Sequence, residues 1–310
     1  MSSDNNYPDF LGIGAPRSGT TWLWENLSKH PEIWMPTRKE IHYFDRSLKY
    51  PSPSHLASDS LSSRLMGKEI HNKTYRRLFQ RAVGKSIVQL NPRRTLWEMR
   101  YYLGAFTDEW YASLFAEGRG YIKGEITPAY SLLEPEDIAH IHDLMPDARF
   151  IYLMRNPIER TWSAVRKGAR HMGRALDEAT VEELETTTLR RAFVARESYT
   201  RPINLWLQQY PREQLFFGFL DEVAANPSDL LLRLFAFLGA SADPRYITAA
   251  ATNKYNVSPE HRIPEKLHVH LAHRYYPELK ELSQLVGSYA TRWLEEAESV
   301  LRAAGESIPA

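Results

Sequence analysis

Residues 12–21 read Gly-Ile-Gly-Ala-Pro-Arg-Ser-Gly-Thr-Thr. From Gly14 to Thr21 the spacing is that of a phosphate-binding P-loop, Gly-x-x-x-x-Gly-Lys-[Ser/Thr], except that Thr20 stands where the lysine belongs. Phe10-Leu11-Gly12-Ile13 is a short apolar run suited to a buried parallel strand. Thr20 to Lys29 then has helical character, with Trp22, Leu23 and Leu27 apolar. Strand, glycine-bearing loop and helix start together present backbone N–H groups at the positive end of a helix dipole, a cradle for an anion. The basic charge is kept but moved into the loop as Arg17. The chemistry implied is the binding of a nucleotide's phosphate without the usual lysine.

A P-loop nucleotide hydrolase holds Mg²⁺ partly with an acidic residue ending an apolar strand. The best central strand here, Arg149 to Met154, ends in Arg155. A cation there suits a further anionic group on the ligand and is poorly placed to hold a metal, so no metal site is expected. The plain alternative is that Arg155 pairs with Glu159.

With these residues in view, the chain resembles the sulfotransferases that use 3′-phosphoadenosine 5′-phosphosulfate (PAPS). Pro16-Arg17-Ser18-Gly19-Thr20-Thr21-Trp22-Leu23 is similar to their 5′-phosphosulfate loop, and Arg155 to Arg160 with Ser163 resembles their 3′-phosphate motif. Lys39-Glu40-Ile41-His42-Tyr43-Phe44-Asp45 is similar to the segment after the first helix. Gly124-Glu125-Ile126-Thr127-Pro128-Ala129-Tyr130 resembles the substrate-side strand and loop. Tyr199, Trp206 and Tyr210 to Leu215 resemble the helix and strand behind the adenine site. The resemblance covers about 10–260, with gaps, and its motifs fall in the expected order.

The resemblance implies transfer of a sulfuryl group to an acceptor hydroxyl or amine, with adenosine 3′,5′-bisphosphate as the other product. The transfer needs in-line positioning and charge stabilisation more than covalent help. Arg17, Ser18, Gly19, Thr20 and Thr21 would hold the 5′ phosphosulfate, and Arg17 would neutralise charge on the leaving oxygen. Arg155 and Ser163 would hold the 3′-phosphate, a task that suits arginine's planar fork. Trp22 and Tyr199 are candidates to face the adenine, against the plain alternative of two core aromatics.

An acceptor hydroxyl needs a base within hydrogen-bond reach. Glu40 and His42 are the candidates, and if 40–44 is extended they share one face. The resemblance favours Glu40 in the carbohydrate-sulfating branch and histidine in branches acting on small molecules. Lys123 and Glu125 also alternate onto one face of their strand, and could contact substrate, tune the base, or form a salt bridge. The acceptor expected is a small molecule, lipid or carbohydrate. A degenerate P-loop kinase and a catalytically dead binding protein are the readings from other classes.

The elements that must position these residues alternate along the chain. Strands are expected at 10–14, 121–126, 149–154 and 215–219, and helices at 19–29, 135–144, 157–169 and 227–238. Asn156-Pro157 and Asn226-Pro227 are helix openings, an N-cap residue followed by proline in the first turn. The fold class expected is α/β, a P-loop-type central parallel sheet with helices on both faces and a helical or loop insertion, in one domain over 1–310. Arg17–Thr21, Thr127 and Arg155 each follow a strand, so all three should meet at the carboxyl edge of the sheet, where ligands of such folds collect.

Residues 46–107 break the alternation and read as an insertion on the acceptor side. Pro51 to Ser63 is turn-rich. From Arg64 to Arg100 ten basic residues face only Glu69 and Glu98, a local balance of +8. This suits a wall favouring an anionic or polar acceptor, or a solvated basic helix surface, or a contact in a homo-oligomer. Residues 166–191 pass from basic to acidic and could form a lid. Asn253 to Val257 and Arg262 offer no clean nucleotide-closing loop.

Composition sets the remaining bounds. The 310 residues are 43% hydrophobic, enough for a sizeable core, and 39 basic residues balance 38 acidic ones, which does not suggest nucleic-acid binding. With no cysteine, thiolate chemistry and disulfides are excluded. The start of the chain lacks a signal-peptide layout, and Leu230 to Ala240, the most apolar stretch, is too short to span a bilayer and carries Arg233. A cytoplasmic location without a transmembrane segment is the resulting expectation.

Overall fold

The computed structural model describes residues 6–51, 54–171, 198–253 and 262–309. Its centre is a five-stranded parallel sheet: β1 (Phe10–Gly14), β2 (Ile33–Trp34), β3 (Ile122–Ile126), β4 (Arg149–Met154) and β5 (Leu215–Phe219), in the order β2-β3-β1-β4-β5. The four strands expected are all present; β2, only two residues long, is too short to leave a pattern in the sequence. Leu11 lies opposite Glu125 on one side and Phe150 on the other, so β1 is central. Every residue of β1 is buried, as a strand covered on both faces requires.

Alternation along the strands divides the core in two. Phe10, Ile151 and Leu153 face one cluster, with Trp22, Leu23 and Leu27 of helix α1 (Thr20–Leu27). Leu11, Ile13, Phe150, Tyr152 and Met154 face a larger one with α6 (Pro135–Leu144) and α7 (Pro157–His171). Helices on both faces follow from this split. The Asn-Pro openings behave as expected: Asn156 Oδ1 accepts from the Ile158 amide at 3.0 Å, and Asn226 caps the helix over Pro227–Leu238.

The insertion is helical. It contributes α2 (Leu61–Met66), α3 (Ile70–Val88), α4 (Pro92–Leu103) and α5 (Asp108–Ser113). Asn91-Pro92 opens α4 with the same cap chemistry, Asn91 accepting from the Arg94 amide. α3 and α4 form an antiparallel hairpin, with Tyr75 near the start of one against Tyr102 near the end of the other, ring centroids 5.4 Å apart.

After β4 the described chain continues with α8 (Thr200–Gln209), α9 (Leu220–Ala225), α10 (Pro227–Leu238), α11 (Glu265–Val286) and α12 (Tyr289–Ala303). The last two form a hairpin not anticipated in the sequence. Glu278 of α11 accepts from the Tyr199 amide at 2.6 Å and the Thr200 amide at 2.9 Å, a carboxylate on the N-terminus of α8. No helix among the described residues is long and apolar enough to cross a membrane.

Candidate active site

All five strands run parallel, so the residues after β1, β3 and β4 meet at one edge, at the point where successive connections diverge to opposite sides of β1. The loop 15–19 turns there. The Ala15 amide donates to the Leu153 carbonyl at 2.7 Å, tying the loop to β4. Gly19 caps α1 at φ 89°, a left-handed conformation that a side chain would strain, and no acidic residue occupies the helix's first turn. The anion-binding potential of that helix start is therefore not neutralised from within. Ser18 is fully buried, and its hydroxyl has no partner in the structure. Such an orphaned donor in a dipole-lined loop fits a phosphate or sulfate oxygen. Thr20 is buried beside it and Thr21 half-buried.

Arg17 links the two anion motifs. Its guanidinium donates to Ser163 Oγ from Nε at 3.0 Å and from Nη2 at 2.7 Å. The loop and the second turn of α7 thus share one contact, which nothing in the spacing predicted. Arg155 is at the same edge, paired with Glu159 at 3.0 Å across one helix turn. That is the plain pairing foreseen in the sequence; Glu159 is exposed, and exchange of such a surface pair for an anionic ligand costs little.

Burial argues against one pair of expectations. Trp22 and Tyr199 were candidates to face an adenine, yet Trp22 is enclosed and its indole N–H donates to the Ala251 carbonyl at 2.8 Å. Tyr199 is fully buried, with the Arg160 guanidinium over its ring at 4.2 Å. Its hydroxyl accepts from the Arg155 amide at 3.1 Å and donates to the Arg155 carbonyl at 2.7 Å. Both rings are committed to the protein interior: Trp22 joins α1 to residues 250–251, and Tyr199 positions the backbone of Arg155. Of the candidate lid at 166–191, residues 172–191 lie outside the described residues, as does Lys254–Val257 of the segment Asn253–Val257.

The base candidates converge, though not on an extended strand. Glu40 and His42 have φ of 67° and 58°, both left-handed, so the alternation argument fails while its conclusion survives. His42 Nε2 lies 3.5 Å from Glu40 Oε2, an ion pair at the edge of hydrogen bonding, and His42 Nδ1 lies 2.8 Å from Asp45 Oδ2. Burial opposes a charge on His42, but the Asp45 and Glu40 carboxylates outweigh it and raise its pKa to about 9. Burial likewise opposes the Glu40 charge, and His42 and Lys39 more than offset it, holding Glu40 near about 2. His42 is therefore an imidazolium at neutral pH, and Glu40 is the group free of a proton.

Lys39, to which no role was given in the sequence, brings a cation to the loop. Its ammonium donates to Thr20 Oγ1 at 3.3 Å and to Glu40 Oε1 at 2.9 Å. A lysine thus reaches the phosphate loop from the segment after the first helix, at the very residue that displaced the usual one. Its signal was available: a P-loop without its lysine directs attention to nearby lysines.

A network beneath fixes this segment. Glu125, fully enclosed, accepts from Tyr111 Oη at 2.7 Å, Thr127 Oγ1 at 2.7 Å, Tyr130 Oη at 2.9 Å and the Ile41 amide at 3.3 Å. Burial raises its pKa, and these donors oppose the rise. Through the Ile41 amide it braces the segment that holds Glu40 and His42. From the insertion, Tyr101 Oη donates to the Ile41 carbonyl at 3.0 Å. Arg38 pairs with Glu98 at 3.0 Å and bonds Tyr102 Oη at 2.8 Å. A cleft of about 390 Å³, lined in part by Tyr43, Phe44, Arg46 and His140, adjoins the segment.

Comparisons with known proteins agree with this geometry. A model of the sulfotransferase family matches residues 8–244. The membrane-associated sulfotransferase kil1 of Dictyostelium discoideum is 25% identical over 160 residues, 50% of this chain; the match spans only 22% of that larger protein. Among solved structures, a sulfotransferase from Alicyclobacillus acidocaldarius superposes with a TM-score of 0.59 at 21% identity, covering 92% of this chain and 98% of that one. A sulfotransferase domain from the curacin biosynthetic pathway gives 0.52 at 16% identity, covering 98% and 99%. At these identities the structural likeness is one of fold. The loop at the end of β1, the arginine at the end of β4 and the match over 8–244 together make the chain a member of the sulfotransferase family.

Proposed function

We propose that this protein transfers a sulfuryl group from PAPS to the hydroxyl of a carbohydrate, lipid or small-molecule acceptor, with Glu40 as the base. The observation that carries the proposal is Lys39, one ammonium touching both the phosphate loop at Thr20 and the carboxylate of Glu40. One ammonium in contact with both supports a reading in which the loop and the carboxylate act on the same reaction, since transfer depends on such proximity.

PAPS would supply the sulfuryl group and leave as adenosine 3′,5′-bisphosphate. Ser18, Thr20, Thr21 and the backbone amides of the loop would hold its 5′ end, Arg17 and Lys39 would offset charge on the leaving oxygen, and Arg155 with Ser163 would take the 3′-phosphate. Glu40 accepts the proton as the acceptor oxygen bonds to sulfur, and the electron pair of the broken S–O bond goes to the leaving phosphate. His42, already protonated, keeps Glu40 oriented and ionised. The cleft beside the segment also has Asp59 and Asp137 in its lining, a mixed polar surface that suits a polar acceptor.

Titration calorimetry tests the donor site. Without Mg²⁺, the protein should bind adenosine 3′,5′-bisphosphate much more tightly than AMP or ATP, and Arg155→Ala should erase most of that preference. Equal affinity for AMP and the bisphosphate would overturn the 3′-phosphate assignment.

A further inference from the structure

The tip of the insertion has a chemistry unrelated to the site. Ile87 and Val88 end α3 and Leu90 lies in the short turn before α4; they are 57%, 83% and 89% exposed. Among the described residues no element covers these three large apolar side chains, and they gain nothing from water. The flanking residues share one sign. Arg81, Lys85 and Arg93 are exposed, and no acidic residue occurs between Glu69 and Glu98. At 100° per residue, Lys73, Arg77, Arg81 and Lys85 fall within about 120° of arc on α3, opposite its buried residues Asn72, Tyr75 and Ser86, and Val88 lies on the same stripe.

We propose that the α3–α4 hairpin docks this protein on an anionic lipid surface. Ile87, Val88 and Leu90 enter among the headgroups, while Arg81, Lys85 and Arg93 engage lipid phosphates. Apolar groups in a basic collar match the layered chemistry of such a bilayer, anionic outside and hydrocarbon beneath. A second copy is a poor occupant, because its tip would set the same exposed cations, Arg81, Lys85 and Arg93, against their own kind. The proposal does not depend on the transferase chemistry, since the hairpin tip contributes no residue to that site.

Sedimentation of the full chain with vesicles tests it. Binding is expected to vesicles of phosphatidylcholine with phosphatidylglycerol, to weaken as salt is raised, and to be absent with phosphatidylcholine alone. Replacing Ile87, Val88 and Leu90 together by serine should lower vesicle affinity at least ten-fold. Reversing Arg81, Lys85 and Arg93 to glutamate should lower it more than about a hundred-fold, at roughly five-fold for each of the three positive charges lost and a further loss from repulsion of the three carboxylates added. Both variants should keep the parent's thermal midpoint and its affinity for adenosine 3′,5′-bisphosphate, because the altered side chains are solvated. The proposal is overturned if the parent does not sediment with anionic vesicles at low salt, or if both variants sediment as it does. It is also overturned if soluble polyglutamate binds as tightly as the vesicles, which assigns the stripe to an acidic protein. Light scattering that finds a dimer which the serine variant dissociates would make the tip a self-contact instead.

Discussion

Glu40 and His42 exchange the roles that their intrinsic chemistry suggests. Histidine is the side chain that ordinarily titrates near neutrality, yet between Asp45 and Glu40 it is locked as a cation with its pKa near about 9. Glu40 stays ionised throughout the neutral range, with its pKa near about 2. Glu40→Gln preserves shape and should lower kcat by about 10²-fold or more, with donor affinity barely changed. With Glu40 as the base, kcat should be flat from about pH 5 to 8 and change only as His42 loses its proton near 9. A histidine base would instead give activity that rises with pH up to about 9. A rising limb of that kind, with Glu40→Gln near normal and His42→Asn inactive, would assign the base to His42.

Helix α4 is what the insertion contributes to the site, through the buried pair Arg38–Glu98 and the Tyr101 bond to the Ile41 carbonyl. These contacts hold a stretch of chain containing two left-handed non-glycine residues, a conformation that persists only where surrounding structure imposes it. Glu98→Ala leaves the Arg38 charge without its carboxylate, with the Tyr102 hydroxyl remaining, and should cost about 3 kcal/mol in urea unfolding. The double variant Arg38→Met with Glu98→Met should recover much of that stability. Turnover should stay low in both, because the segment bearing Glu40 loses its support in each. Normal kcat in the double variant would show that α4 does not position the base. The tip of the same hairpin is a separate device, and its vesicle binding should survive Glu98→Ala.

Over the whole molecule, the His42–Glu40 pair makes stability depend on pH, while burial raises the pKa of Asp45 and so works against stability as pH rises through it. A histidine whose pKa is raised on folding stabilises fully below its unfolded value of roughly 6.5, and that contribution fades as pH rises through about 9. A carboxylate whose pKa is lowered contributes above roughly 4.5, and its share fades as pH falls towards about 2. Stability from this pair should therefore be greatest between about pH 5 and 6.5 and decline on both sides. The unfolding free energies of the parent and His42→Gln from urea titration should differ most near pH 6 and converge towards pH 10, the gap being on the order of 3 kcal/mol at most. A gap independent of pH would mean that His42 is neutral in the folded protein.

How much of this was legible in the sequence follows from the range of each interaction. The phosphate loop, the apolar strands and the Asn-Pro helix openings depend on neighbours within a few residues, so residue order alone carries them, and with them the parallel sheet and the edge where Arg17 and Arg155 meet. Glu40 and His42 could be picked out as candidates, but the charge state of each depends on Asp45 and Lys39 in three dimensions, since a pKa answers to charges within a few ångströms whatever their place in the chain. The contact of Arg17 with Ser163 spans 146 positions, and that of Trp22 with Ala251 spans 229. No local pattern encodes such distances. Trp22 and Tyr199 looked like ligand-facing aromatics because ring chemistry is the same in a core and in a pocket. Only packing distinguishes them, and packing placed Tyr199 against the backbone of Arg155 and left Lys39 to supply the charge that Thr20 does not.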